Sequence, residues 1–200
     1  MGSSMSDPLR RAVRLVAILN LAFFGIELAV ALRIGSVSLL ADSADFFEDA
    51  AVNFLIFGAL GWPPVIRAKV GMLLAAVLLV PAAAFVWTLW RKLGHPVAPQ
   101  ALPLSGTGLA ALVINLFCAF VLARYREHSG SLTKAAFLSA RNDALANVAI
   151  IVAGLVTAAT KSLWPDIAVG LGIALMNLDA AREVWQAALA EHREAAPPRP

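Results

Sequence analysis

The chain has few charged residues. Asp, Glu, Lys and Arg make up only 14% of its 200 residues, whereas 60% are hydrophobic, and its mean hydropathy is +0.77. A soluble domain carries about 25% charged residues, so this composition excludes that class and indicates a membrane protein. A membrane-spanning helix needs about 20 apolar residues, so about six helices would use most of the chain. No room remains for a nucleotide-binding domain.

Cysteine and histidine are also scarce. The single cysteine, Cys118, excludes an internal disulfide and any site built from several thiolates, and its place in an apolar stretch predicts a small packing residue. The three histidines, His95, His128 and His192, are isolated in predicted loops or in the tail, whereas a metal site needs converging ligands. The net charge of +3 indicates basic loops at a membrane face, so no nucleic-acid partner is expected.

Six apolar stretches predict six transmembrane helices. They cover about residues 12–33, 36–61, 69–90, 104–124, 131–160 and 164–188. These runs are too continuous for the alternating strands of about 10 residues in an outer-membrane barrel. The predicted fold class is therefore an all-α membrane protein, a six-transmembrane-helix bundle. We expect a membrane domain over 12–188, a disordered N-terminus over 1–11 and a short disordered tail over 189–200.

Lysine and arginine are distributed unevenly between the two sides of this predicted bundle. If the N-terminus lies inside, most of them fall in cytoplasmic segments, and basic residues in short loops stay cytoplasmic. The distribution predicts that both termini are cytoplasmic. It also predicts a multi-pass protein of the cell (cytoplasmic) membrane.

Acidic residues lie inside the predicted spans, where an ionisable group costs about 2.5–3.5 kcal/mol even on the lenient insertion scale. Those well inside the spans are Glu27, Asp42, Asp45, Glu48, Asp49, Asp143 and Asp179, whereas Asp166 and Glu183 lie near span ends. Residues of this kind face a protein interior or a cavity and usually have a function. Most of them lie on the second and fifth predicted helices, so we expect the chemistry there.

The second predicted helix carries a narrow polar stripe. At about 100° per residue, Asp42, Asp45, Asp49 and Asn53 fall within one face. Asp45 and Asp49, one turn apart, can direct both carboxylates at one point, as a helix does when it supplies two oxygen ligands to a divalent cation. Without a cation the two would repel, so metal and protons are expected to compete at this pair.

The fifth predicted helix repeats this spacing, because Ser139, Asp143 and Asn147 share one face. Asp143 lies at about the same predicted depth as Asp49, so the two are expected to meet near the middle of the membrane. A single membrane carboxylate is often only a structural hydrogen-bond partner. Three converging carboxylates instead favour a cation site.

Arg141 is the cation available as a counter-charge deep inside the predicted spans, and it points away from Asp143 on the same helix. We expect it to form an ion pair with Asp179 on the sixth helix or with Glu48 on the second. The glycines of VGLGIALM, Gly170 and Gly172, lack a nucleotide-binding context and predict close helix packing.

The segments SVSLLADSADFFEDA and AAFLSARNDALANVAIIVAGL resemble the cation diffusion facilitator family of divalent-metal/proton antiporters. The first is similar to the family signature L-L-A-D-A, one further residue, His or Asp, three residues, and Asp. The resemblance covers about residues 12–185. It implies metal ligands at Asp45, Asp49 and Asp143, with Ser139 where the family usually has histidine or aspartate.

The resemblance also implies which groups surround the metal. Ser139, Asn142 or water would complete the coordination, and the neighbouring polar residues would support the ligands from outside. These outer residues are Asn53, Asn142, Asn147 and Asp42. An all-oxygen set favours Mn²⁺, Co²⁺ or Fe²⁺ over Zn²⁺ and Cd²⁺, although the resemblance keeps zinc open.

The implied function is efflux of divalent cations coupled to protons, by alternating access at a site between the second and fifth helices. The protein would not be an enzyme and would hold no cofactor, since the metal is its cargo. Its partners would be metal ions, protons and membrane lipid. Members of the family usually continue into a cytoplasmic domain that supports dimerisation, so this chain is expected to be a short form without it, and a homodimer stays open.

Two alternatives remain at this point. In the first alternative, the protein is a degenerate family member, because Ser139 replaces a strong ligand. It would bind metal without transporting it and would act as a scaffold or partner. The other is a metal-dependent intramembrane phosphotransferase using Asp45 and Asp49. Such enzymes need a D-G-x-x-A-R segment upstream, which this sequence lacks.

Overall fold

The computed structural model describes residues 7–58, 82–125 and 130–177, and these residues form six helices without a strand. The helices are α1 (Asp7–Ile34), α2 (Val37–Gly58), α3 (82–94), α4 (Ala101–Ala123), α5 (Gly130–Thr160) and α6 (164–177). Among the described residues, three segments are long and apolar enough to cross a membrane: Asp7–Ile34, Ala101–Ala123 and Ala140–Thr160. The all-α membrane class predicted from the sequence is confirmed.

Large apolar side chains cover the outside of the bundle. Ile26 on α1, Leu109 on α4 and Leu155 on α5 are each more than half exposed. In water such a surface would drive aggregation, whereas in a bilayer it faces acyl chains at no cost. The exposed side chains therefore agree with the membrane class.

Helix α1 begins at Asp7, so residues 7–11 belong to a helix although the sequence predicted disorder there. Pro8 fits this start because the first turn of a helix needs no backbone donor at that position. The predicted span began only at residue 12, because the charged residues Arg10 and Arg11 interrupt the apolar pattern before it.

A tight turn joins α1 to α2. Gly35 adopts a left-handed conformation with φ of 64°, and the Ser36 backbone N–H donates to the Ala31 carbonyl at 3.0 Å. This is the bonding pattern with which a glycine ends a helix and reverses the chain. The helices run antiparallel and pack through tilted ring pairs, Phe23 with Phe46 and Phe24 with Phe47, whose centroids are 4.8 and 5.1 Å apart.

The two ends of the bundle differ in the residues they collect. At one end, hereafter the Leu9 end, Leu9 and Val13 of α1 pack with Phe57 of α2 and Tyr125, which follows α4. At the other, hereafter the Ser36 end, a buried cluster draws on α1, α2, α4, α5 and α6. Its members are Ala31, Leu39, Leu40, Ala41, Leu104, Ile150 and Ile173. Which end faces the cytoplasm stays a prediction from the charge distribution.

Close helix packing occurs at one of the two glycines for which it was predicted. A Cβ atom at Gly170 of α6 would lie 2.8 Å from the backbone of Val37 and Ser38, so α6 approaches the start of α2 as only glycine permits. Gly172 has open space at the same position. Cys118 is fully buried among Val16, Leu122 and other small or aliphatic residues, which confirms it as a packing residue.

Candidate metal site

A cavity of about 150 Å³ lies between α2, α5 and α6. It is lined by Asp45, Glu48, Asp49, Asn142, Asp143, Met176 and Asn177. Helix geometry explains the grouping, since residues at i, i+3 and i+4 of α2 share one face and adjacent residues of α5 reach the same space. Four carboxyl groups and two amides therefore surround one small volume.

Burial differs among the acids around the cavity. Asp49 is buried with 8% of its surface exposed, Asp45 and Asp143 are half-buried, and Glu48 is exposed. Asp49 and Asp143 line the same cavity from two helices, so their carboxyl groups repel each other when both are ionised. A proton or a cation held between them relieves this repulsion.

The carboxyl groups share the cavity without forming a closed coordination shell. Within residues 7–58, 82–125 and 130–177, no three Asp, Glu, His or Cys side chains are already close enough to hold a metal ion. Carboxylate side chains one helical turn apart need only rotamer changes to converge on one point. Cation binding at this cavity therefore requires the ligands to close around the ion.

A second polar group lies beside the cavity and is fully buried. The Asn147 amide N–H donates to Asp42 Oδ2 at 2.6 Å, and the Asn115 amide donates to Asn147 Oδ1 at 2.9 Å. This chain of hydrogen bonds links α2, α4 and α5. Glu27 of α1 is also fully buried, with Asp42 as its main charged neighbour, and neither of its carboxyl oxygens meets a hydrogen-bond donor in the described part of the chain.

Comparison with known proteins gives the family. Residues 13–191 match the family described as the cation efflux transmembrane domain. The chain belongs to the cation efflux, or cation diffusion facilitator, family. Because this is a family of transporters, the phosphotransferase alternative is set aside and the protein is not an enzyme.

The relatives of this cation efflux domain include curated zinc transporters. The zinc transporters ZitB of Yersinia pseudotuberculosis serotype I (strain IP32953) and of Yersinia pestis are each 27% identical to it over 164 residues. The aligned region covers 76% of this chain and 52% of each relative. The chain thus spans about half the length of the curated relatives it matches.

The cavity brings together most of the ligands predicted for the cation efflux domain. Asp45, Asp49 and Asp143 all line it, as does Asn142. The Ser139 side chain lies outside the described residues.

The remaining outer residues predicted for the site lie elsewhere. Asn147 and Asp42 bond to each other in the buried polar group and do not line the cavity. Asn53 donates to the Asp49 backbone carbonyl at 2.8 Å, so its amide N–H is occupied within α2. The polar stripe of α2 is therefore divided between two surroundings. Asp45 and Asp49 line the cavity, whereas Asp42 is buried against Asn147 of α5.

Of the two ion-pair partners predicted for Arg141, only Glu48 is among the described residues. Asp179 lies outside the described residues. Arg141 is exposed, and in the described part of the chain it forms no ion pair with Glu48.

The buried ion pair of the described residues is one that the sequence analysis missed. Lys92 Nζ of α3 contacts Asp166 Oδ2 of α6 at 2.7 Å, with side chains 7% and 0% exposed. Asp166 also accepts hydrogen bonds from the Ser36 hydroxyl at 2.7 Å and from the backbone N–H groups of Val37 and Ser38 at 2.9 and 3.1 Å. Lys92 lies just beyond the predicted span 69–90, where a lysine is ordinarily solvated, and neither Lys92 nor Asp166 carries a local sequence signal for this pairing.

Three cavity residues were not predicted as part of the site. Asn177 had a readable signal, since an amide inside the apolar sixth helix needs a polar neighbour. Glu48 was predicted only as an acid inside a span and as an alternative ion-pair partner of Arg141. Met176 gave no signal, because a methionine in a membrane helix looks like ordinary apolar surface.

Proposed function

We propose that the protein moves divalent metal cations across the membrane in exchange for protons, with Asp45, Asp49 and Asp143 as the principal ligands. The observation that carries this is the convergence of three acids from α2 and α5 on one small cavity within a membrane bundle. A carboxylate in that setting is costly unless it binds a cation or a proton.

The chemistry of the cavity suggests the substrate class. Carboxylate and amide oxygens are hard ligands, and they favour Mn²⁺, Co²⁺ and Fe²⁺. The Yersinia relatives are named zinc transporters, and Met176 adds a softer sulfur at the cavity wall. We therefore include Zn²⁺ among the substrates, with Ser139 or water as the fourth ligand by analogy with the family.

Proton exchange follows from the same carboxyl groups. A cation that binds between Asp49 and Asp143 must displace the protons that these carboxyl groups hold, because ligation requires ionised oxygens. Proton return from the other side would then release the metal. The exchange needs no titratable group outside the cavity.

Alternating access is supported by the different packing of the two ends. The cavity lies between the middle turns of α2, residues 176–177 of α6 and the start of the membrane part of α5, and its α5 and α6 residues are on the side of the Leu9 end. At the Ser36 end, Gly170 and Asp166 of α6 hold the start of α2. Release at that end would need α2 and α6 to separate or to move together against α4 and α5. The cell membrane is the proposed location, and a homodimer is the proposed assembly.

The second candidate is a family member that binds metal without transporting it. The serine at position 139 favours this alternative, because the family usually has histidine or aspartate there. Changing Ser139→His separates the two, since a gain of zinc transport from an inactive parent would indicate degeneracy.

Metal flux into vesicles tests the proposal. The purified protein is reconstituted with a metal-sensitive dye inside, and Mn²⁺ or Zn²⁺ entry is recorded with and without a pH gradient. We expect flux that the gradient accelerates, and we expect Asp49→Ala and Asp143→Ala to reduce it to that of protein-free vesicles. Asp7→Ala is the matched control, because Asp7 is an exposed acid away from the cavity. Absence of flux in the unaltered protein, or unchanged flux in both cavity variants, would refute the proposal.

A further inference from the structure

We propose that the groove between α1 and α4 at the Leu9 end is a binding site for an anionic phospholipid. The groove has a volume of about 350 Å³ and is formed by the first turns of α1 and the last turns of α4. Arg11 and Arg124 line it together with the apolar side chains of Leu15, Phe117 and Phe120. It is separate from the cavity that holds the acids.

The arginines and the apolar side chains of the groove lie at different depths along the helices. Leu15 lies one turn beyond Arg11 on α1, and Phe120 lies one turn before Arg124 on α4, so both apolar residues are deeper in the membrane than the cations. Because α1 and α4 are both candidate membrane spans, their shared end lies near the headgroups. Cations above an apolar wall match a phosphate above an acyl chain.

The cations of the groove are not neutralised within the described residues. The ion pair found among the described residues joins Lys92 to Asp166, which do not line the groove. Neither Arg11 nor Arg124 has a carboxylate partner among those residues. The Arg124 guanidinium lies 4.8 Å from the centroid of the Phe120 ring, and this cation–π contact positions it without neutralising its charge. The guanidinium N–H groups therefore remain available to a phosphate.

Further cations extend the positive surface on the other side of α1. An adjoining groove of about 400 Å³ is lined by Arg10, Arg11 and Arg14, with Asp7 as its acid and Phe57 as its apolar side chain. Three arginines against one aspartate leave an excess of positive charge beside the lipid groove. Such basic pockets between transmembrane helices attract anionic headgroups.

The apolar wall selects a lipid over a soluble anion or a metal. Leu15, Phe117 and Phe120 are 43%, 45% and 59% exposed, and a free phosphate would leave these surfaces uncovered. Arginine repels divalent cations. A phosphatidylglycerol-like lipid contacts both layers of the groove at once.

Lipid binding to the purified full chain tests the proposal. Native mass spectrometry compares phosphatidylglycerol with phosphatidylcholine of the same acyl chains. We expect phosphatidylglycerol to bind about tenfold more tightly, and we expect the Arg11→Gln/Arg124→Gln variant to lose this preference. Arg10→Gln/Arg14→Gln is the matched control, because it removes the same charge from the same end without touching this groove, and it should keep the preference.

Several results would overturn the proposal. Equal affinity for the two lipids would do so, as would equal loss in both double variants, which would indicate a diffuse basic surface. Full displacement by glycerol phosphate would indicate a site for soluble phosphate. If the double variant does not fold, the single variants decide, because each lost arginine should weaken phosphatidylglycerol binding about fivefold. A single variant with unchanged affinity would count against the groove.

Discussion

Single polar side chains inside the bundle bond helices to one another. Asn147 of α5 uses both ends of its amide, donating to Asp42 of α2 and accepting from Asn115 of α4. No water is available in a membrane core to replace such bonds, so each carries a larger penalty when one partner is removed. Asn147 therefore holds three helices in register beside the candidate metal site.

Replacing Asn147 should destabilise the fold. Asn147→Ala leaves the buried Asp42 without its donor and Asn115 without its acceptor, and we expect a loss of about 3 kcal/mol in the free energy of unfolding. Chemical unfolding in detergent, followed by circular dichroism, measures it. Asn142→Ala, an exposed asparagine on the same helix, should change the free energy by less than about 0.5 kcal/mol. Similar losses in the two variants would show that the hydrogen-bond chain contributes little.

Residue spacing predicted which side chains share a face but not what covers that face. Asp45, Asp49 and Asp143 were grouped from a helical period of 3.6 and from similar depth, and the structure places all three around one cavity. Asp42 belongs to the same stripe, yet Asn147 and Asn115 draw it into a different environment. Contacts between helices far apart in the chain carry no local sequence signal.

Among the elements, the start of α2 depends on α6. The first backbone N–H groups of a helix lack partners within it, and here Asp166 accepts from two of them although it is distant in sequence. Lys92 of α3 neutralises the same carboxylate. The acids of α2 therefore have their axial position set by a residue on another helix.

Replacing Asp166 should destabilise the fold more than replacing Lys92, its partner in this junction. Asp166→Ala strands the buried Lys92 charge and removes the acceptor of Ser36, Val37 and Ser38, so we expect a loss of about 3–5 kcal/mol in the free energy of unfolding. Lys92→Met leaves those donors paired with Asp166 and should cost less.

A double-mutant cycle in detergent measures the two losses and their coupling. The coupling should be about 1–3 kcal/mol. A larger loss from Lys92→Met than from Asp166→Ala would contradict the role of Asp166 as the cap of α2.

Helix positions were largely predictable because long apolar runs have few alternatives in a membrane. The runs at 36–61 and 131–160 correspond to α2 and α5 within a few residues. The start of α4 was missed, since Ala101 precedes Pro103 and a proline reads as a break although the first turn accepts it. The pairing of α6 with the start of α2 had no such signal.

For the bundle as a whole, the proposed function requires that cation binding at the candidate site is coupled to protons. Lowering the pH adds protons to Asp49 and Asp143, so the apparent metal affinity should fall by about tenfold per pH unit for each proton displaced. Calorimetry in buffers of different ionisation enthalpy counts the protons released on binding. Asp143→Asn should reduce that number, because the amide holds no exchangeable acid proton. Metal binding without proton release would rule out exchange at this site.

The bundle as a whole presents acids in one cavity, cations at the Leu9 end and a closed junction at the Ser36 end. Family membership came from sequence patterns on α2 and α5 and is confirmed by the match over residues 13–191. The junction and the groove between α1 and α4 could not be predicted, because both arise from the packing of segments that are distant in the chain.

The central claim is that the carboxyl groups of α2 and α5 together bind the transported cation. Electron paramagnetic resonance of Mn²⁺ tests it directly, because free aqueous Mn²⁺ gives a signal that is lost on binding. We predict saturable binding to the purified protein that Zn²⁺ or Co²⁺ displaces and that Asp45→Asn, Asp49→Asn and Asp143→Asn each weaken at least about tenfold. Asp7→Asn should leave binding unchanged. Unaltered Mn²⁺ affinity in the three cavity variants would contradict the account.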